Sequence, residues 1–450
     1  MSQADTNPRR PIPLALPATI APDARVIPVA LPVTEDEWLT WRLTHHTPRR
    51  PHFLWRCVLG VASALEWLFG FASLFIFLAV LAAPLPLLNL FGLGYLLAPG
   101  EPIARVFVIL AALAAVLVLN LLSLGYLLEA GGRIARTGKL RSGFIGVRLA
   151  GRLGGMVAAV WLLLLPVRFV SDMARAAEII DPNGRIAAHW RFFLVVLIGL
   201  TFIHIAAACA RGGKLRYFLW PFNVVWLILR IFRGGYYTEA RDAVWNTVVS
   251  LRLPYYFWLG FRGFIAGFAW LVLPITLLAL GRLHLPVAPL FGVVGALMLA
   301  VVLLYLPFLQ MRLAATNRLR AAFDVWGARA AYARAPWAFA FAFVLTLAFA
   351  LPLYLLKIQM VPREAAWLPS LVFIAFIYPA RLLTGWALAR AARRPAPRHW
   401  FFRWTGRLPL LPAALFYVLI VFFTQYTSWN GVWSLYEQHA FLVPVPFFGM

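Results

Sequence analysis

Two cysteines in 450 residues, Cys57 and Cys209, leave no room for a disulfide framework. Acidic residues are also scarce, 16 Asp and Glu against 41 Lys and Arg, and among the basic residues only Lys139, Lys214 and Lys357 are lysines. The sequence has no serine nucleophile elbow and no HExxH zinc motif. GGRIARTGK (131–139) resembles a phosphate loop only superficially. Five residues separate Gly132 from Gly138, Leu140 stands where a Ser or Thr is needed, and no strand precedes it. His45, His46 and His52 form the one histidine cluster, with no Cys or carboxylate at a ligand spacing beside them. No metal or cofactor is therefore expected. Nor is a cleavable signal peptide, because the first apolar run starts near residue 57 and is too long for an h-region.

What is present is apolar. With 63% hydrophobic residues and a mean hydropathy of +0.81, the chain cannot hide its side chains in soluble cores that still need a polar skin. A net charge of +25 would suggest nucleic acid in a soluble protein, but here the charges flank apolar runs and no reader motif accompanies them. The expected partners are membrane lipids, anionic headgroups included, rather than nucleic acid, and protein partners are left open. The basic gaps 34–56, 129–152, 211–257, 310–336 and 390–407 hold 4, 6, 7, 5 and 6 Lys and Arg. The intervening gaps 84–102, 171–190, 282–286, 357–366 and 426–450 hold 0, 2, 1, 2 and 0. This alternation places the basic gaps and the N-terminus in the cytoplasm and the C-terminus outside, as expected for a multi-pass protein of the inner membrane.

Residues 1–33 carry seven prolines among small aliphatics and predict an extended, disordered tail. Thr34 and Glu37 have capping-box spacing, so 34–56 predicts an amphipathic interfacial helix. Nine runs in 57–425 approach the length needed to span a bilayer: 57–83, 103–128, 153–170, 191–210, 258–281, 287–309, 337–356, 367–389 and 408–425. The segment 84–98, broken by Pro and Gly, suits a re-entrant or interfacial piece, and 426–450 an aromatic external tail. The fold class is all-α, a polytopic integral membrane bundle of about nine helices.

Internal repetition organises those helices into hairpins. ARTGKLR (135–141) and ARGGKLR (210–216) agree at six of seven positions, and RLAATNRLRAAF (312–323) is a looser copy of RIARTGKLRSGF (133–144). Each follows a run that enters the cytoplasm, and the next outward helix is expected to end near a proline, Pro166, Pro274 or Pro352. The gap 211–257 differs in being rich in Trp and Tyr, and it predicts two interfacial helices, 217–232 and 239–253, with Thr238 capping the second. Gly151 with Gly155 and Gly263 with Gly267 give spacings that allow close helix contact.

Ionisable or polar side chains at lipid depth are the default functional candidates. Glu66, Asn120, His204 and Arg381 form the possible intramembrane polar set, with Glu66 and Arg381 expected to neutralise each other and His204 to make an interhelical hydrogen bond. Arg136, Lys139, Arg141, Arg211, Lys214 and Arg216 in the two close repeats are the candidate headgroup-binding residues. Glu239 and Asp242, three apart on one helical face, are a possible interfacial acidic site.

The stretches RGGKLRYFLWPF, YYTEARDAVW, LRLPYYFWLGFRGFIAGFAWLVLP and RLAATNRLRAAF together resemble a family of bacterial polytopic membrane proteins, a domain of unknown function with repeated transmembrane hairpins. The resemblance covers about half the chain. It implies an all-helical fold in a bacterial cytoplasmic membrane and supplies no catalytic residues. Three functions stand at this point. The leading one is a non-enzymatic protein that organises lipid or a partner at the cytoplasmic face. A transporter component would need the four intramembrane residues to meet at a cavity, and a lipid-modifying enzyme would need Glu239 and Asp242 to converge with another polar group.

Overall fold

The computed structural model describes residues 53–82, 102–220, 222–232, 236–355, 368–428 and 431–436. The expected tail 1–33, most of the expected interfacial helix 34–56 and the segment 84–98 lie outside them. Contacts divide the chain into Met1–Ala62 and Ser63–Met450. Of the first unit only the opening of one helix, 53–62, is described; the other described residues belong to the second unit.

The described elements are helical, with no strand among them. In chain order they are α1 (Phe53–Ala82), α2 (Pro102–Thr137), α3 (Val147–Ile180), α4 (Arg185–Ala210), α5 (Asn223–Phe232), α6 (Tyr236–Ser250), α7 (Leu253–Leu280), α8 (Ala288–Thr316), α9 (Val325–Arg334), α10 (Pro336–Leu355), α11 (Leu368–Ala392), α12 (Trp400–Thr405) and α13 (Leu410–Thr427). Seven helices among the described residues are long and apolar enough to cross a membrane: Val147–Ile180, Arg185–Ala210, Val248–Leu280, Ala288–Thr316, Pro336–Tyr354, Leu371–Ala392 and Trp400–Thr427. This is fewer than the nine expected. The other two expected runs fall on α1 and α2.

α2 is the hub, packing against α7, α8 and α11. Its approach to α7 is backbone on backbone: a Cβ on Gly125 would strike the Tyr256 carbonyl, and one on Gly260 the Leu121 carbonyl. Close contact of this kind gives dispersion and weak backbone interactions where lipid offers no hydrophobic drive. Of the anticipated small-residue pairs, Gly151 lies against Gly70 of α1 and Gly263 against Leu128 of α2. The main apolar core runs through α1, α2, α7, α8, α10, α11 and α13, whereas α3 and α4 pack on each other with a small cluster of Ala159, Ala208 and Phe218.

Three expectations about helix ends are corrected. Pro166, Pro274 and Pro352 lie inside α3, α7 and α10, and α3 continues from Pro166 to Ile180. A helix surrounded by lipid keeps its remaining internal hydrogen bonds past a proline, because no water competes for them. The basic gap 129–152 is likewise partly helix, since α2 runs on to Thr137 and carries Glu129, Arg133 and Arg136 with it. In the gap 211–257, α6 starts at Tyr236, so Thr238 lies within the first turn rather than capping it.

Candidate functional site

The three sequence repeats are three copies of one helix exit. The fourth motif residue takes the left-handed conformation, with φ of 69° at Gly138, 63° at Gly213 and 57° at Asn317. Glycine and asparagine are the residues that adopt this at least cost, and it closes the helix by turning the next amide onto a free carbonyl. Gly138 and Asn317 each donate to the carbonyl four residues back, Ile134 and Leu313, at 2.7 Å. The fifth residue, Lys139, Lys214 or Arg318, is extended, and the following Leu opens a single short turn: Leu140–Gly143, Leu215–Phe218 or Leu319–Ala322.

The first and third copies are held alike from outside. Tyr378 of α11 donates to the Gly143 carbonyl and Trp270 of α7 to the equivalent Ala322 carbonyl, each at 3.0 Å. Each ring also lies beside the next phenylalanine, Phe144 or Phe323. These ends meet: Arg136 donates to the Ala314 carbonyl at 2.8 Å and Arg393 to the Gly138 carbonyl at 2.6 Å. The basic segments after α2, α8 and α11 therefore share one end of the bundle.

The six headgroup candidates separate by motif position. The second-position arginines are engaged in the fold. Arg136 reaches back to Glu129 at 2.7 Å, and Arg211 donates to Asn223 at 3.2 Å while lying over the rings of Tyr217 and Trp226. Lys139, Arg141 and Lys214 are exposed, as are Arg318 and Arg320 of the third copy. The Arg216 side chain lies outside the described residues.

The intramembrane set does not converge. Glu66 is exposed on α1, its backbone beside Gly151 in the opening turns of α3. Arg381 is buried on α11 and donates to Gln310 of α8 at 2.6 Å, so the expected Glu66–Arg381 pairing is not formed. Asn120 is buried on α2 with its Oδ1 unpaired, and His204 on α4 shares a 2.8 Å hydrogen bond with the Phe218 carbonyl. Asp242 is exposed and bound to its neighbour Arg241, while the Glu239 side chain lies outside the described residues.

Glu129 was not anticipated. Only 2% exposed, it receives Arg133 at 2.9 Å, Arg136 at 2.7 Å and the Tyr255 hydroxyl at 2.8 Å, tying α2 to α7. The signal was legible: Arg133 and Arg136 follow Glu129 by four and seven residues, one helical face. A second ion pair joins Arg312 to Asp324, the cap of α9, which also accepts from the Gly327 amide at 2.8 Å. That amide bond and the guanidinium hold the Asp324 carboxyl below its usual range.

A cavity of about 580 Å³ opens between α8, α9, α10, α12 and the start of α13. Its floor is apolar, with Leu304, Phe308, Phe339 and Leu410, and its mouth carries Arg329, Arg403, Arg407, Trp404 and the Tyr332 ring. Burial raises the Tyr332 hydroxyl above its usual pKa, opposed by the charges of Arg407 and Arg403. Among the described residues no Asp or Glu lines the cavity, nor do any of the four intramembrane candidates. Its basic residues come from the gaps 310–336 and 390–407, not from 211–257, which the sequence singled out.

No protein-family model matches the chain, and neither a curated protein nor a solved structure matches it.

Proposed function

We propose that this is a non-enzymatic, multi-pass protein of a bacterial cytoplasmic membrane that organises anionic lipid along its basic face. In this reading nine helices cross the bilayer, the N-terminus is cytoplasmic and the C-terminus external. The chain then belongs with the hairpin-repeat membrane proteins it resembles.

One observation carries the proposal. The first two copies bond their second-position arginine, Arg136 or Arg211, to the fold, the third has Ala315 there, and the first and third copies leave the cations that flank a leucine on the surface. Lys139 and Arg141 flank Leu140, and Arg318 and Arg320 flank Leu319; among the described residues none of these four cations makes an ion pair. Leu140 and Leu215 are exposed between or beside their cations. A leucine at the acyl boundary and two cations at headgroup level suit an anionic leaflet, each cation adding about 1 kcal/mol near such a surface. The excess of basic residues on one side of the apolar helices supports the orientation.

The test is the lipid that leaves the membrane with the protein. Extraction into polymer-bounded nanodiscs should yield discs enriched in anionic phospholipid over the bulk membrane, and K139Q/R141Q/R318Q/R320Q should lose most of that enrichment while remaining folded. Equal enrichment around the variant would overturn the reading.

A further inference from the structure

We propose that the cavity between α8, α9, α10, α12 and α13 is a specific site for one anionic phospholipid, its phosphate at the arginine mouth and an acyl chain along the apolar floor. The proposal rests on the basic face lying against an anionic leaflet, and it adds a defined, saturable site to that general attraction.

The cavity has the two parts such a ligand needs, in the right order along the helix axis. Phe308 and Leu304 lie eight and twelve residues before the end of α8 at Thr316, about 12 and 18 Å inward at 1.5 Å per residue. The arginines come from the other direction. Arg329 projects from α9, which follows the third helix exit, and Arg403 and Arg407 come from α12 and the turn after it. Charge is thus confined to the end that meets headgroups, and the remainder of the wall is hydrocarbon and aromatic. Free inorganic phosphate would use only the mouth and leave the apolar floor without an occupant.

The mouth is built rather than incidental. The Tyr332 hydroxyl donates to the Arg403 carbonyl at 2.9 Å, the Arg398 amide to the Ala333 carbonyl at 2.8 Å, and the Arg394 guanidinium to the Arg334 carbonyl at 3.3 Å. These contacts bind the 394–403 segment to α9 and fix the spacing of the arginines, which lowers the entropy cost of binding. Three arginines, Arg329, Arg403 and Arg407, line the cavity. Nearby Asp324 is already bound to Arg312 and does not line the mouth. A phosphate with its two acceptor edges suits guanidinium donors, and Trp404 stands at the rim where interfacial tryptophans lie. A volume of about 580 Å³ is in the range of sites that enclose a small amphiphile.

Native mass spectrometry of the full chain, released from nanodiscs of zwitterionic phospholipid doped with phosphatidylglycerol, tests this. The wild type should retain one phosphatidylglycerol through delipidation. R403Q/R407Q should bind it about tenfold or more weakly, and Ala333→Phe, which fills the cavity and leaves the charges in place, should also lose it. K139Q/R141Q should keep it, which separates this site from the elbow surface. Retention unchanged in both pocket variants, or absent from the wild type while the elbow variant still alters the lipid shell, would overturn the site and leave the broader reading standing. Displacement of the lipid by inorganic phosphate at equal concentration would also overturn it, since the acyl chain would then contribute nothing.

Discussion

At the scale of single residues, burial decides which charges hold the fold and which are left for the surface. Glu129 is enclosed by two arginines and a tyrosine, so removing it takes away the one buried acceptor that all three share. Glu129→Ala is expected to cost about 2 kcal/mol. Arg133→Gln should cost about 1 kcal/mol or less, because Arg133 is partly exposed and Arg136 still satisfies the carboxylate. Unfolding of the two variants in detergent, compared with wild type, checks that order; an equal cost would mean Glu129 is not the centre of the cluster. Asp324 gives a pH dependence. Its folded pKa is depressed, so its contribution is complete above the unfolded value of 3.8 and disappears as pH falls through the lower folded value. Stability measured downward from pH 5 should drop in wild type and less steeply in Asp324→Asn; parallel curves would contradict the assignment.

At the scale of elements, the repeated exit behaves as one module. Gly138 and Asn317 share a left-handed backbone, so Asn317→Gly should change stability little, whereas Gly138→Ala should cost about 1–2 kcal/mol. Thermal unfolding in detergent reads both, and a harmless alanine at 138 would deny the module its geometric basis. The closely similar repeats were visible as strings, and the third was visible at lower identity because Asn can replace Gly at a left-handed position. Helix positions were legible for the same reason that membranes simplify sequence: long apolar runs have few other fates. Helix ends were less so. Pro166 and Pro274 read as stops, yet lie inside helices, and Glu129 read as loop although it is on α2. The cavity was invisible because its walls come from α8, α9, α10, α12 and α13, and no local spacing records that meeting.

At the scale of the whole molecule, the buried charged side chains gather toward one end of the helices, while the buried polar groups elsewhere, Asn120, Thr424, Gln425 and Ser434, are neutral. Glu129, Gln310 and Arg381 all lie within a few turns of the basic helix ends, and at the opposite end Arg282 lies over Tyr426 and donates to the Gln425 carbonyl while Tyr436 bonds Thr276. Charge gathered at one end, and candidate residues spread over α1, α2, α4 and α11, fit a protein that acts at one surface better than one with a polar route across the bilayer. The central claim is that the basic–Leu–basic turns lie in an anionic leaflet. The most direct measurement places an environment-sensitive fluorophore on a cysteine at Leu140 or Leu215, both exposed, with Cys57 and Cys209 replaced by Ser, and compares nanodiscs with and without anionic phospholipid. A blue shift and stronger shielding from aqueous quencher are predicted in the anionic discs, both lost for Leu140 in K139Q/R141Q. Identical spectra and quenching in both kinds of disc would contradict it.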